Sequence, residues 1–262
     1  MAFRLGPRAS AAGHRLLDFD TIGSTNAAAL AEADAGAAGP LWCVSADQTG
    51  GRGRRGRPWQ GTPGNLAASI LVTVETPAAV AATIGFVAGL ALADALDAVA
   101  GERAMTGLAL KWPNDVLLDG AKLAGILLEA RARPGETVVV AGMGVNVLAG
   151  AADTPYPATH LGSVAPNVTA EDLFCALSDA WATTFAAWEA GGGFEALRER
   201  WLARAAGVGS DIAVTVGGRT LSGVFETVDW DGYLVLRMAD GSREAVAAGE
   251  VHFGAAATAR PD

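Results

Sequence analysis

QTGGRGRRGRPW, residues 48–59, is the stretch on which the reading of this chain turns. Its glycines let backbone approach a ligand closely and adopt positive φ. Arg52, Arg54, Arg55 and Arg57 supply permanent charge on a planar donor fork suited to phosphate. Glycine flexibility and like-charge repulsion do not order such a segment unaided, so it reads as a cover that orders around a polyanion. It is not a P-loop, because the Lys-Ser/Thr ending is missing. On this segment alone three readings stand: phosphate handling, a nucleic-acid or targeting patch, and a plain solvated loop.

The surrounding chain narrows them. With 262 residues it is long enough for one large domain and a small one. A composition that is 51% hydrophobic and 18% charged fits a globular protein. Much of the apolar content is Ala, so Leu, Ile, Val, Phe and Trp must form the core. The formal net charge is -9, and no acidic residue occurs between Gln48 and Glu75. Positive charge is therefore local, which suits a small anion better than a nucleic acid. Cys43 and Cys175 lie far apart with no metal-ligand spacing and read as reduced core thiols. The N-terminus lacks the apolar core of a signal peptide, and no run approaches membrane-spanning length, so a soluble, cytoplasmic protein is expected.

Working outward, a short N-terminal arm leads to a helix capped by Ser24 or Thr25 and running from Asn26 to Ala35. Strands are expected at Trp42–Ala46 and Leu66–Val74, with a loop at Gln48–Gly64 between them. Pro77 opens one long helix to about Val99. Leu108–Lys111 and Val116–Leu118 flank a Pro-Asn-Asp turn. Leu123–Ala132 and Thr137–Val147 form a hairpin. A loop over Leu148–Pro166 precedes a helix capped at Thr169 with Asp172 and a second helix over Phe194–Ala206. The tail changes to short strands separated by Gly217-Gly218, Asp231-Gly232 and Asp240-Gly241 turns, the pattern of a small β-barrel beginning near Gly207–Ser210.

Four further motifs carry chemistry. Lys111-Trp-Pro-Asn-Asp115 ends a strand with two charges aimed at one point, or is a surface turn with an ordinary ion pair. Lys122-Leu-Ala-Gly-Ile-Leu-Leu-Glu129 places a lysine at the mouth of an apolar strand, either to bridge two anions or to snorkel, and Gly125 leaves space beside the backbone. Gly142-Met-Gly-Val-Asn146 lacks the strand, GxGxxG and helix succession of a dinucleotide site; its glycines admit a ligand or a tight strand crossing. Ser24, Thr25 and Asn26 could bind a polar group or merely cap a helix.

In order and spacing these motifs resemble the biotin–protein ligase family over residues 18–150, and the β tail extends the likeness to nearly the whole chain. The Arg/Gly segment with Trp59 and the Lys-Trp-Pro-Asn-Asp turn are the most specific parts. The resemblance implies an α+β fold, class II synthetase/biotin ligase-like. A mixed, mostly antiparallel sheet with helices on one side would span residues 1–207, and an SH3-like barrel residues 208–262. It implies ATP and biotin as substrates with Mg2+, no fixed protein ligands for a metal, and a biotin carboxyl carrier domain as partner. Monomer and homodimer are both open. Ser24, Thr25, Asn26, Gln48, Gly51, Arg52, Gly53, Arg54, Lys122 and Gly125 would contact biotin. Arg52, Arg54, Arg57, Trp59, Lys111, Asn114, Lys122 and Asn146 would contact ATP or the adenylate. Lys122, Arg54, Lys111 and Asp115 would be catalytic, with Asp115 orienting the acceptor amine.

Two departures bear on this. Some members carry an N-terminal winged helix-turn-helix; the residues ahead of the first motif are too few for one, so no DNA binding is expected. The family often has Ser where His160 stands, and His160 is read as an exposed loop histidine without a role. The rivals are a lipoate–protein ligase, whose Arg-Ser-Gly-Gly-Gly segment is absent, and a nucleic-acid binder using Arg52–Arg57. The acidic balance and the lack of interleaved aromatics weigh against the latter.

Overall fold

Two apolar, β-branched runs, Leu66–Val74 and Thr137–Val145, pair antiparallel along their full length in the middle of a seven-stranded sheet. In the computed structural model, which describes residues 2–59, 61–150 and 157–253, this sheet organises everything that precedes the tail. The loop expected over 148–166 and the tail to 262 fall partly outside the described residues.

In chain order the elements are α1 (Pro7–Ala11), β1 (Arg15–Asp18), α2 (Thr25–Asp34), β2 (Leu41–Ser45), β3 (Leu66–Val74), α3 (Ala78–Ala81), α4 (Ile84–Ala100), β4 (Leu108–Lys111), β5 (Asp115–Leu118), β6 (Ala121–Arg133), β7 (Glu136–Val145), α5 (Ala170–Ala190) and α6 (Glu195–Leu202). The tail adds β8 (Asp211–Val216), β9 (Arg219–Val228), β10 (Leu234–Arg237), β11 (Arg243–Val246) and β12 (Glu250–Phe253). The large sheet has the order β1-β2-β3-β7-β6-β5-β4, antiparallel except for the parallel β1–β2 pair.

Successive side chains on a strand point to opposite faces. Trp42, Val44, Ile70, Val72, Val139, Ala141 and Met143 turn to the main core under α4, α5 and α6. Leu41, Cys43, Leu71, Val138 and Val140 turn the other way and meet Ala29 and Ala33 of α2. Helices therefore cover both faces, not one as expected. The reason is in the strands: β2 and β3 are apolar at nearly every position, and a sheet buried on both faces needs a second layer.

Four other expectations need correction. The N-terminal arm is a helix and a strand: the Gly6 N–H bonds Ser178 Oγ at 2.8 Å and the Ala9 N–H bonds Asp179 at 2.9 Å, both on α5. The long helix from Pro77 breaks at Thr83, whose hydroxyl donates to Val80 O at 2.6 Å and accepts from Trp188 Nε1 at 2.8 Å. Even so, Ala78–Ala100 is by length and composition long and apolar enough to cross a membrane, contrary to the reading above; most of it is buried in the core. Finally, α6 stops at Leu202 because Arg204 and Ala206 pair with Leu110 on the edge strand β4.

The helix caps are local and sequence-encoded. Thr169 and Asp172 form a reciprocal capping box at α5, and Ser24 accepts the Ala27 N–H at α2. The tail is a five-stranded antiparallel sheet of order β11-β10-β9-β8-β12, consistent with an SH3-like domain; the described pairings do not join its edge strands. It packs on the larger unit where Trp112 Nε1 donates to Gly232 O at 3.0 Å and Arg198 Nε donates to Val228 O at 2.6 Å.

Candidate active site

Helix α2 begins where β1 and β2 present their C-terminal ends, and its first residues are polar and buried: Thr25 is 3% exposed and Asn26 7%. Burial of such groups demands partners. The Thr25 N–H donates to Gln48 Oε1 at 2.8 Å, and the Thr25 hydroxyl lies 3.1 Å from the same oxygen. Asn26 Nδ2 donates to Glu129 Oε2 at 2.8 Å, while its Oδ1 accepts from the Ser69 hydroxyl at 2.6 Å. These groups close one end of a cavity of about 720 Å³, within the size range of small-molecule sites.

The cavity floor is glycine, and the structure shows why. Gly125 of β6 and Gly144 of β7 face each other in register. The indole of Trp59 lies across both: a Cβ on Gly144 would stand 2.5 Å from Trp59 Cε2, and one on Gly125 3.0 Å from Cζ3. A Cβ on Gly142 would overlap Asn26 Oδ1 and stand 2.8 Å from Cγ. The glycines of the Gly142–Asn146 motif thus make room for side chains of this chain.

At the other end, charges converge. Lys122 Nζ pairs with Asp115 Oδ1 at 2.7 Å and sits 5.5 Å from the Trp59 ring centroid. Lys111 Nζ lies 5.4 Å from the Phe253 ring. Burial pulls the Lys111 ammonium below the usual lysine range, with Asp115 opposing and Lys122 reinforcing that shift. Arg54 is likewise lowered by burial, against the pull of Asp115. Arg54 reaches in from the loop, donating to Asn114 Oδ1 at 2.7 Å and to Gly249 O at 2.8 Å. Asn114 is itself held by its Nδ2 bond to Ile126 O at 2.9 Å.

The loop carries more order than its glycines and like charges suggest. Arg52 bridges Pro58, the Gly53 N–H bonds Arg57 O at 2.7 Å, and the Trp59 N–H bonds Gly51 O at 2.9 Å. Glu250 of β12 takes Arg55 at 3.3 Å and Arg57 at 2.6 Å, so an acidic residue far along the chain offsets the repulsion.

Of the residues expected at the site, Ser24, Thr25, Asn26, Gln48, Arg52, Gly53, Arg54, Arg57, Trp59, Lys111, Asn114, Asp115, Lys122 and Gly125 line one cavity. Gly51 and Asn146 do not. Gly51 is next to the lining residues Gln48 and Trp59: a Cβ on it would stand 2.5 Å from Gln48 Nε2 and 3.0 Å from Trp59 O. Asn146 is buried, and its Nδ2 bonds Lys122 O at 3.3 Å and Thr159 O at 3.0 Å. His160 is half-buried beside Gly162, not exposed. The sequence reading missed Ser69, Gly249 and the β12 residues Glu250 to Phe253. A lone serine inside the apolar run of β3 was a readable signal; for β12, the only hint was an acidic residue able to answer the arginine run.

An apolar slot with a neutral polar end and a cationic mouth can hold a carboxylic acid by its tail and bring its anion against a second anion. The fold and site define an ATP-dependent carboxylate-activating ligase of the biotin and lipoate ligase type. Two family models match: the Biotin/lipoate A/B protein ligase family over residues 20–146 and the Biotin protein ligase C terminal domain over residues 208–254. The chain is 43% identical over 243 residues to a biotin--[acetyl-CoA-carboxylase] ligase of Paracoccus denitrificans, covering 88% of this chain and 97% of that one. It is 36% identical over 250 residues to the ligase of that name from Mycobacterium tuberculosis, covering 91% and 89%. In fold it is similar to the biotin protein ligase of Aquifex aeolicus in complex with biotin and ATP, with a TM-score of 0.72, 21% identity, and coverage of 91% of this chain and 97% of that one. The chain belongs to the biotin protein ligase family.

Proposed function

We propose that this chain is a biotin–protein ligase that makes biotinyl-5′-AMP from biotin and ATP and passes the biotinyl group to a lysine of a biotin carboxyl carrier domain. The observation that carries this is the pairing, in one cavity, of the Thr25–Asn26–Gln48 end with the Arg54–Lys111–Lys122 cluster. A lipoyl dithiolane has no group to answer the buried amide and hydroxyl at the closed end, and unanswered buried polar groups penalise the wrong ligand heavily. A cyclic urea answers them.

The mechanism follows from the charges. A biotin carboxylate oxygen attacks the α-phosphorus of ATP and pyrophosphate leaves. Two anions must approach within bonding distance, so fixed cations aimed at that point lower the barrier. Lys122, Arg54 and Lys111 line the same cavity and supply those cations. Asp115 holds Lys122 in place until the anions compete for it. In the second half-reaction a carrier lysine amine attacks the acyl carbon of the mixed anhydride and AMP leaves. Asp115 is the nearby carboxylate able to orient that amine and take its proton. Trp59 and the Arg52–Arg57 segment shield the anhydride from water. Among the described residues no group of three metal-ligating side chains occurs. Magnesium bound with ATP would supply positive charge on its phosphates. The working location is the cytoplasm, where ATP and reduced thiols coexist.

The test is intact-mass measurement of a carrier domain after incubation with biotin, Mg-ATP and this protein. A gain of one biotinyl group is expected, and none is expected with Lys122→Ala. No gain with the unaltered protein overturns the assignment.

A further inference from the structure

Glu129 ends the Lys122–Glu129 motif, yet the mechanism above gives it no task. It lies on β6, outside the cavity lining, with its carboxylate 2.8 Å from Asn26 Nδ2. We propose that Glu129 is a positioning residue that sets the hydrogen-bond polarity of the biotin end of the cavity, acting through Asn26, Ser69 and Thr25. This rests on the biotin reading of that cavity.

The argument is a count of protons. An ionised carboxylate only accepts, so it draws the Asn26 amide nitrogen toward itself and turns Oδ1 toward Ser69. Leu127 O, 3.4 Å from the same nitrogen, adds a second acceptor on that side. A serine hydroxyl has one proton. The Ser69 hydroxyl lies 2.6 Å from Asn26 Oδ1 and 2.8 Å from Thr25 Oγ1. An amide oxygen cannot donate, so the Ser69 proton is committed to Asn26. The one Thr25 proton then goes to Ser69 at 2.8 Å or to Gln48 Oε1 at 3.1 Å, and in either case points away from the ligand. With its proton turned inward, Thr25 offers the cavity an oxygen lone pair. Gln48 Oε1 is held by the Thr25 N–H, so the Gln48 amide nitrogen is left as a donor.

The cavity end therefore presents one acceptor and one donor side by side. A cyclic urea, with ring N–H donors and a carbonyl acceptor, matches that array. If the Asn26 amide flipped, Ser69 would receive a donor and its own proton would pass to Thr25, leaving the Thr25 proton only Gln48 Oε1 or the ligand to face. The carboxylate thus favours the working pattern over the flipped one. The space for the working pattern exists only because Gly142 has no Cβ.

Steady-state adenylate formation, varying biotin and ATP separately, tests this. Removing a hydrogen bond to a charged partner is commonly worth about a tenfold change or more. In Glu129→Met, KM for biotin should rise at least about tenfold while KM for ATP changes less than about twofold. Glu129→Gln keeps an acceptor oxygen and should stay within about threefold of the unaltered protein. In an Asn26→Ala background, adding Glu129→Met should change KM for biotin by less than about twofold. An undisturbed biotin KM in Glu129→Met overturns the proposal, as does the same loss with or without Asn26. Equal losses in Glu129→Gln and Glu129→Met also overturn it. Should Glu129→Met fail to fold, Glu129→Ala takes its place, with the same expected and overturning outcomes. If the unaltered protein forms no biotinyl-adenylate, it is the biotin reading that fails.

Discussion

Replacing Gly142 by Ala adds a single methyl group, and the structure says where it goes. The new Cβ overlaps the Asn26 amide oxygen and presses on Cγ at 2.8 Å, well inside ordinary contact. β7 cannot retreat, because it is paired with β3 on one side and β6 on the other. Asn26 must therefore swing away and give up its bonds to Ser69 and Glu129. The first is worth about 1 kcal/mol and the second, to a charged acceptor, about 2 kcal/mol. Alanine regains up to about 1 kcal/mol over glycine within a strand. The net loss is about 2 kcal/mol, which for a chain of this size lowers the thermal midpoint by about 4–8 °C. The biotin KM should rise at least about tenfold, since the closed end of the cavity has lost its polarity. Calorimetry and adenylate-formation kinetics on the purified variant measure both. A midpoint within about 1 °C of the unaltered protein, together with an unchanged KM, would refute the claim that this glycine exists to seat Asn26.

Three further outcomes follow from the geometry. Because burial holds Lys111 below the usual lysine range, it loses its charge earlier on raising pH than an ordinary lysine. Adenylation should therefore decline on the alkaline side below pH 10.5, and Lys111→Arg should move that limb upward; an unmoved limb in a pH–rate profile contradicts the role. Glu250→Ala should change the thermal midpoint by less than about 2 °C, since the pairs it makes with the half-exposed Arg55 and Arg57 are surface pairs worth about 0–1 kcal/mol. Limited trypsin digestion should nevertheless cut at Arg55 or Arg57 several-fold faster, about the factor that 1 kcal/mol gives, and an unchanged rate argues against the anchoring. The Cys43 thiol, buried beneath α2 and pushed up to about 12, should resist iodoacetamide at pH 8 in the native protein and react after denaturation; native labelling followed by peptide mapping would disprove its burial.

Much of this was legible in the chain because local chemistry decided it. Leu66–Val74 is a strand in sequence and structure alike, since nothing but a buried strand suits nine consecutive residues of that kind. Thr169 with Asp172 announced α5, and the glycine turns announced the tail hairpins. What was not legible depends on partners distant in sequence. β1 is four residues long and becomes a strand only by pairing with β2. Thr83 breaks a helix because Trp188 claims its hydroxyl. α2 occupies the second face of the sheet because of apolar positions scattered over three strands. At the site, the quoted motifs supply most of the cavity lining. They said nothing of Ser69, whose value is one proton, or of β12, which reaches the cavity from the five-stranded C-terminal sheet.

The bond from Arg54 to Gly249 O spans 195 positions of sequence. The ribosome delivers the chain from its N-terminus, so the loop, the sheet and the lysines emerge long before β12 does. Until β12 arrives, Arg54 has no carbonyl to grip and the cluster of Arg55 and Arg57 has no counter-charge. A nascent chain can thus possess every residue of the larger unit and still lack an anchored lid. On the role proposed for this loop, its anchorage over the water-sensitive anhydride is acquired only after β12 has emerged.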